Sequence, residues 1–146
     1  PKREFSNALL GGNSIGIWAD PVNDEIIIGS NGIFVFDRLA TGVVEPKRLI
    51  EIASVVRAVE QIALDLEHDE IVGVHSADRD VDPPVYGGVV VFDRLADGLV
   101  EPKRFIQHVE HSGVLHPRAM WLDPIHDEIA TGDSKTNEVR VFPRVW

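Results

Sequence analysis

The side chains best suited to chemistry in this chain are scattered along its length. Glu60, His75, His116, Arg118 and Asp133 are the groups a metal ion or a proton transfer would need, and Asn13, Arg57 and Asp78 are polar residues able to complete a ligand shell. Two local clusters stand out. In HSADRDVDPPVYGG (75–88), Asp78, Asp80 and Asp82 alternate as at the start of a calcium loop. Pro83 stands where that loop needs glycine and Val89 where it needs its closing glutamate, so the EF-hand pattern is not met. The segment reads as a solvated acidic loop or a weak site for a divalent cation such as calcium, with Tyr86 and the Pro83–Pro84 pair as a lid or contact surface. In HVEHSGVLHPR (108–118), His108, His111 and His116 have the right chemistry for a metal, but their spacing matches no standard zinc motif. No G-x-S-x-G, phosphate loop or HExxH occurs, and the absence of cysteine excludes thiol nucleophiles, disulfides and zinc knuckles.

What positions these groups is a repeat. The tripeptide PKR begins at Pro1, Pro46 and Pro102 and divides the chain into copies 1–45, 46–101 and 102–146, which form a single domain. Each copy carries a first apolar run ending in Asp (GIWAD, QIALD, MWLD), then a polar turn (PVNDE, LEHDE, PIHDE). A second run follows (IIIGS, IVGVHS, IATGDS), and after a variable turn a third (GIFVFDR, GVVVFDR, EVRVFPR). Copies one and two continue through LATGVVEPKR and LADGLVEPKR, read as loops, into a fourth run, RLIEI and RFIQHV. Short runs rich in Ile, Val and Phe, bounded by Gly, Pro, Asn and Asp, predict β-strands, here named a to d. Residues 48–66 taken alone pass for a helix, but the equivalent stretches contain GGNS and SGVLHP, which break helices. Strand c is apolar on both faces, with Ile33 and Val35 on one and Phe34 and Phe36 on the other, so it must be covered on both sides. Four-stranded sheets stacked face to face around an axis do this. The expected fold is all-β, a β-propeller of three four-stranded blades per chain.

Composition narrows the partners. The 146 residues are 44% hydrophobic, with a net charge of −10 from 24 acidic and 14 basic side chains. That balance excludes nucleic acid and anionic membrane surfaces as partners, because both need a basic face. The longest apolar runs are strand-sized, far below the roughly 18 residues of a membrane helix. A soluble, cytoplasmic chain is the expectation, with no signal peptide in the sequence as it stands.

The stretch HPRAMWLDPIHDEIATGDSKTNEVRVF (116–142) resembles an NHL repeat, with Pro before strand a, Asp closing it, Asp-Ser ending strand b and a polar turn into a V-x-V-F strand. The tail FDRLATGVVEPKR is similar to the linking segment of bacterial six-bladed propellers with NHL-like blades. Copy one departs by lacking the Pro and by Ser30 at the Asp position, and copy two by an insertion of 11 residues relative to copy one. The resemblance covers the whole chain and implies the fold. For activity it implies a range, since NHL-like propellers include lyases, lactonase relatives and interaction modules. Propellers close with about four to eight blades, so three repeats predict closure by a second copy into six. Each copy runs d-a-b-c, leaving the first d and the last c without partners, and a head-to-tail homodimer would pair both. The expected seam comprises Pro1, Lys2, Arg3, Glu4 and Phe5 from one chain and Val139, Val141, Phe142 and Trp146 from the other. The rival expectation is a piece of a longer polypeptide whose remaining blades lie elsewhere. The end of the sequence without a further FDRLA-GVVE segment, and Pro143 in place of Asp37 and Asp93, favour the dimer in this reading.

Alternating strand direction puts the d–a and b–c connections on one face and the near-identical a–b and c–d connections on the other. The variable face is where function is expected. There Asn13, Ser14 and Ile15 align with Ala58, Val59 and Glu60 and with His116, Pro117 and Arg118, and Ser30, His75 and Asp133 align at the end of strand b. Glu60, His75, His116, Arg118 and Asp133 are expected to converge at the channel mouth, with Asn13, Arg57 and Asp78 nearby. Residues repeated in every copy read as structural: Asp20, Asp65 and Asp123 as turn ties, Arg38, Arg94 and Arg144 likewise, and Trp18 and Trp121 as core. Two functions follow. The first is a non-catalytic propeller binding a small molecule or a protein through the variable face, needing no cofactor. The alternative, implied by metal-holding six-bladed relatives, is a metal-dependent hydrolase or lyase with Glu60, His116 and Asp133 as ligands and His75 as base; its site on the axis would have to be two-fold symmetric. A structural fragment without a ligand is a third reading.

Overall fold

The computed structural model describes residues 1–11, 16–52, 56, 58–76, 80, 86–106 and 114–144. All regular structure among them is β. In chain order the strands are β1 Phe5–Ser6, β2 Gly16–Asp20, β3 Glu25–Gly29, β4 Ile33–Asp37, β5 Gly42–Val43, β6 Arg48–Ile52 and β7 Gln61–Asp65. They continue as β8 Glu70–His75, β9 Gly88–Asp93, β10 Gly98–Val100, β11 Arg104–Ile106, β12 Pro117–Asp123, β13 Glu128–Asp133 and β14 Glu138–Pro143. They form several sheets, none closed on itself: β10-β6-β4-β3-β2, then β11-β9-β8-β7, then β12-β13-β14, with β1 and β5 as a separate pair. Within the described residues, the helix-like stretch from Arg48 supplies two strands, β6 and β7.

The three copies repeat one local design. Asp24, Asp69 and Asp127 each sit in the left-handed region, at φ 53°, 53° and 55°, where a short polar side chain is tolerated best. Their carbonyls accept from the backbone N–H of Arg38, Arg94 and Arg144. Asp20, Asp65 and Asp123 close the same turns by accepting backbone N–H groups two or three residues on.

The fourth strand of the first two stacked sheets comes from the following copy. β4 of copy one pairs antiparallel with β6, which belongs to copy two, in the register Ile33↔Ile50 and Val35↔Arg48. β9 pairs the same way with β11 of copy three, Val89↔Ile106 and Val91↔Arg104. The segments GVV and GLV, expected as loops, are themselves short strands: β5 lies parallel to β1 and β10 parallel to β6. Gly42 and Gly98 start them at φ 77° and 76°, a conformation that only glycine adopts without strain, and strands this short leave no periodicity to read.

Packing follows from stacking. One core joins Ile27, Ile33, Val35 and Ile50 of the first sheet to Ile62, Ile71, Val90 and Phe92 of the middle one and to Val59, which leads into it. A second joins Ala63, Val72, Val74 and Val91 of the middle sheet to Leu122, Ile129 and Phe142 of the last. With a neighbour on each side, β8 is buried at every residue, whereas β14 exposes most of its residues. Trp121 corrects the expectation of a core tryptophan: it is 68% exposed, and Trp18 is exposed at 36%. Ala63, at the matching position of the middle sheet, is buried because the last sheet covers it, while no described residue covers that face of the last sheet.

Close approach of the first two sheets depends on missing side chains. A Cβ on Gly29 would lie 2.7 Å from the Val59 carbonyl oxygen, and one on Gly16 2.9 Å from that of Glu60. Backbone cannot yield as a flexible side chain does, so Gly29→Ala is expected to cost about 1–3 kcal/mol in denaturant unfolding. An unchanged midpoint would show that the two sheets do not meet at this spacing.

Candidate functional site

The ends of the strands divide the chemistry. At one end, Gly16, Gln61 and Pro117 start the first strand of each sheet, beside the connections that follow Gly29, His75 and Asp133. This end carries the sequence variation. Of the expected site residues, Asn13, Arg57 and Asp78 lie outside the described residues, as do His108, His111, Asp82, the Pro83–Pro84 pair and Trp146 of the seam. Tyr86 is half-buried.

Glu60 and Arg118 do meet. The Glu60 carboxylate accepts a short hydrogen bond from Ser76 Oγ and lies 3.4 Å from Arg118 Nη1, which bridges the middle sheet to the last. Ser76 was not singled out from the sequence; its signal was only that it follows His75, so its side chain takes the opposite face of the strand. His75 points the other way. Its ring is fully buried and stacked on Phe105 at 5.3 Å between centroids, and neither ring nitrogen meets a hydrogen-bond partner among the described residues. Burial holds its pKa down to about 4, with the Ser76 backbone opposing.

Asp133 is buried and committed to backbone. One carboxylate oxygen accepts from Leu115 and His116 N–H at 2.6 and 2.7 Å, the other from Lys135 and Thr136 at 2.9 and 3.1 Å. Burial alone would raise its pKa, but these four donors prevail and lower it. His116 is held by that contact and by Ser134, whose N–H and Oγ both donate to its carbonyl. The five expected groups therefore resolve into two pairs, Glu60 with Arg118 and Asp133 with His116, and a separate buried His75. Among the described residues no three acidic or histidine side chains assemble as a metal site, and Glu60, His116 and Asp133 do not form one.

The opposite end holds a cluster that the sequence reading passed over. Glu25 and Glu70, which begin the second strand of the first two copies, are each 3% exposed. Arg48 grips Glu25 with both terminal nitrogens at 2.9 and 2.8 Å, Lys47 lies at 2.9 Å and Arg94 at 3.7 Å. Arg104 grips Glu70 at 2.7 and 2.6 Å, with Lys103 at 3.0 Å and Arg144 at 3.7 Å. The Lys-Arg pair is the KR of PKR in the next copy, and the second arginine directly follows the third strand of the neighbouring sheet. Bidentate guanidinium contacts are the strong form of such pairs. For Glu25, burial opposes ionisation but the bonds from Arg48 and Lys47 outweigh it, so its pKa is lowered. Arg104 foremost holds Glu70 down to about 2. The recurrence of Glu in every N-D-E or H-D-E turn, alongside PKR, was the available signal.

No protein-family model matches the chain, and no curated protein matches its sequence.

The buried groups give stability a defined pH dependence. His75 stays neutral in the fold and takes up a proton when unfolded. Stability is therefore full above about 6.5 and declines as pH falls from 6.5 toward 4. Glu70 is ionised in the fold down to about 2, so its contribution is complete above about 4.5 and is lost as pH falls from there toward 2. Urea unfolding of His75→Leu should show a flatter profile between pH 6.5 and 4 and the same decline below it. An unaltered slope between 6.5 and 4 would contradict the buried neutral histidine.

Proposed function

We propose that the chain is a non-catalytic half of an NHL-like β-propeller, three blades that close with a second copy into six and bind a small molecule or a protein through the variable end of the strands. The observation that carries this reading is the sharing of strands between copies. In the first two sheets the fourth strand belongs to the next copy, so the design extends beyond any one repeat. Among the described residues, β14 has no strand on its outer edge and β1 has only β5 beside it. Open edges of this kind are normally paired or covered, and head-to-tail closure about a two-fold axis pairs both.

Binding rather than catalysis is favoured by how the reactive groups are used. Asp133 is occupied by four backbone donors, Glu60 by Ser76 and Arg118, and His75 is turned into the core. Such contacts shape a surface and occupy these three groups rather than leaving them poised as base or nucleophile. The turns at the other end repeat from copy to copy, which suits structure, while the variable end differs in every copy, which suits recognition.

Light scattering at micromolar concentration should give twice the 16.2 kDa chain mass, and EDTA should leave the melting temperature unchanged. A single-chain mass would overturn the six-blade closure. A melting temperature that falls when a stoichiometric divalent ion is removed would favour the hydrolase reading instead.

A further inference from the structure

The clamp around Glu25 and Glu70 has a third member with only one half of its parts in each place. Glu128 begins β13 at the position of Glu25 and Glu70, yet it is exposed and meets no lysine or arginine among the described residues. At the far end of the chain stand the cations of such a clamp, where no described glutamate lies between them; Arg38 Nε holds Asp24 at 2.7 Å, as Arg94 Nε holds Asp69 at 2.9 Å while its Nη1 reaches Glu25. Lys2, Arg3 and Arg38 line an open cleft of about 230 Å³ together with Phe5, Ile26 and Ala40. Each has a counterpart around Glu25, namely Lys47, Arg48, Arg94, Ile50, Ile71 and Ala96. Arg3 is already set in place: its Nη2 donates to the Arg38 carbonyl at 3.2 Å, as Arg48 Nη2 does to the Arg94 carbonyl at 3.5 Å. Phe5 lies opposite Gly42 as Ile50 lies opposite Gly98. The N-terminal segment thus sits on the first sheet as β6 sits on the middle one, with the place of Glu25 vacant.

We propose that this cleft is the receptor for Glu128 of a second copy of this chain, and that the carboxylate entering between Lys2, Arg3 and Arg38 sets the register in which β14 of one chain pairs with residues 3–5 of the other. The inference rests on the closure proposed above and supplies its recognition chemistry. Transferring the register of β4–β6 and β9–β11 to the seam puts Val141 opposite Arg3, Arg140 opposite Glu4 and Val139 opposite Phe5. Arg140, which bonds Thr136 and Glu138 in its own chain, so gains a cross-strand carboxylate at a position where the other two pairs are apolar, Phe34–Leu49 and Val90–Phe105. Val139 and Val141, 75% and 55% exposed, and Trp121 beside them would come under cover, as their counterparts in the middle sheet are.

A charge swap tests this. Glu128→Lys places a cation against the cleft, and Lys2→Glu with Arg3→Glu places anions against Glu128, so each protein alone should be monomeric by light scattering. Mixed one to one, they can form a heterodimer with one wild-type seam and one reversed seam, and the double mass should return. Restoration also shows that both variants are folded. Glu128→Gln, a milder change, should weaken the dimer at least about tenfold in dissociation constant. If the unaltered chain is monomeric, closure and this inference both fail. If it is dimeric and Glu128→Lys and Glu128→Gln dimerise as tightly, the clamp fails and closure stands. Loss of dimer in both parents without restoration on mixing would also overturn the pairing of Glu128 with the N-terminal cations.

Discussion

A carboxylate taken out of water must be met by charge and by hydrogen-bond donors, and the first two copies of this chain meet that demand across a copy boundary. Glu25 and Glu70 are almost fully buried, and the lysine and arginine that satisfy them arrive on the strand of the following repeat. Removing either side would leave a buried charge uncompensated, so the fourth strand cannot peel away without a large electrostatic cost. The same contact joins neighbouring sheets, because Arg94 and Arg144 reach across to the same two carboxylates. One cluster therefore fixes strand order, sheet spacing and the direction in which repeats follow one another.

That direction has consequences at both ends. The middle sheet is complete and buried on both faces, while the first and last sheets keep apolar residues on faces that nothing described covers: Ile17 at 68% exposure on the first, Trp121, Val139 and Val141 on the last. The half-clamps fall at those same places. In the proposed assembly the exposed carboxylate, the cationic cleft, the open strand edge and the apolar faces are one unfinished interface, and the variable end of the strands is left free for a ligand or partner.

Much of the architecture was legible because it depends on local pattern. Apolar runs bounded by turn residues marked the a, b and c strands within a residue or two, except that the a strand of copy three starts at Pro117, three residues before the run MWLD, and repetition of Asp20, Asp65 and Asp123 pointed to the turns they now tie. What was hidden depended on neighbours. Trp121 has the character of a core residue, but its burial is decided by whether another sheet stacks on it. His75 and Ser76 are adjacent, and only the pleat decides that the serine reaches Glu60 while the histidine enters the core. GVV and GLV were strands too short to show a period. The Glu25 and Glu70 clamps were visible only as two separate repeats, and nothing in spacing along the chain says that a glutamate meets a PKR some twenty or thirty residues later.

The pairing of β14 with the N-terminal segment of a second chain can be read directly by cross-linking, since the chain has no cysteine of its own. Opposed residues of antiparallel strands bring their Cα atoms to about 4.5–5.5 Å, within reach of a disulfide. The double variant Glu4→Cys with Arg140→Cys, oxidised under mild conditions, is predicted to run as a covalent dimer on a non-reducing gel, while the out-of-register pair Glu4→Cys with Glu138→Cys stays monomeric. Monomer alone from the in-register pair, or equal cross-linking of both, would contradict the account.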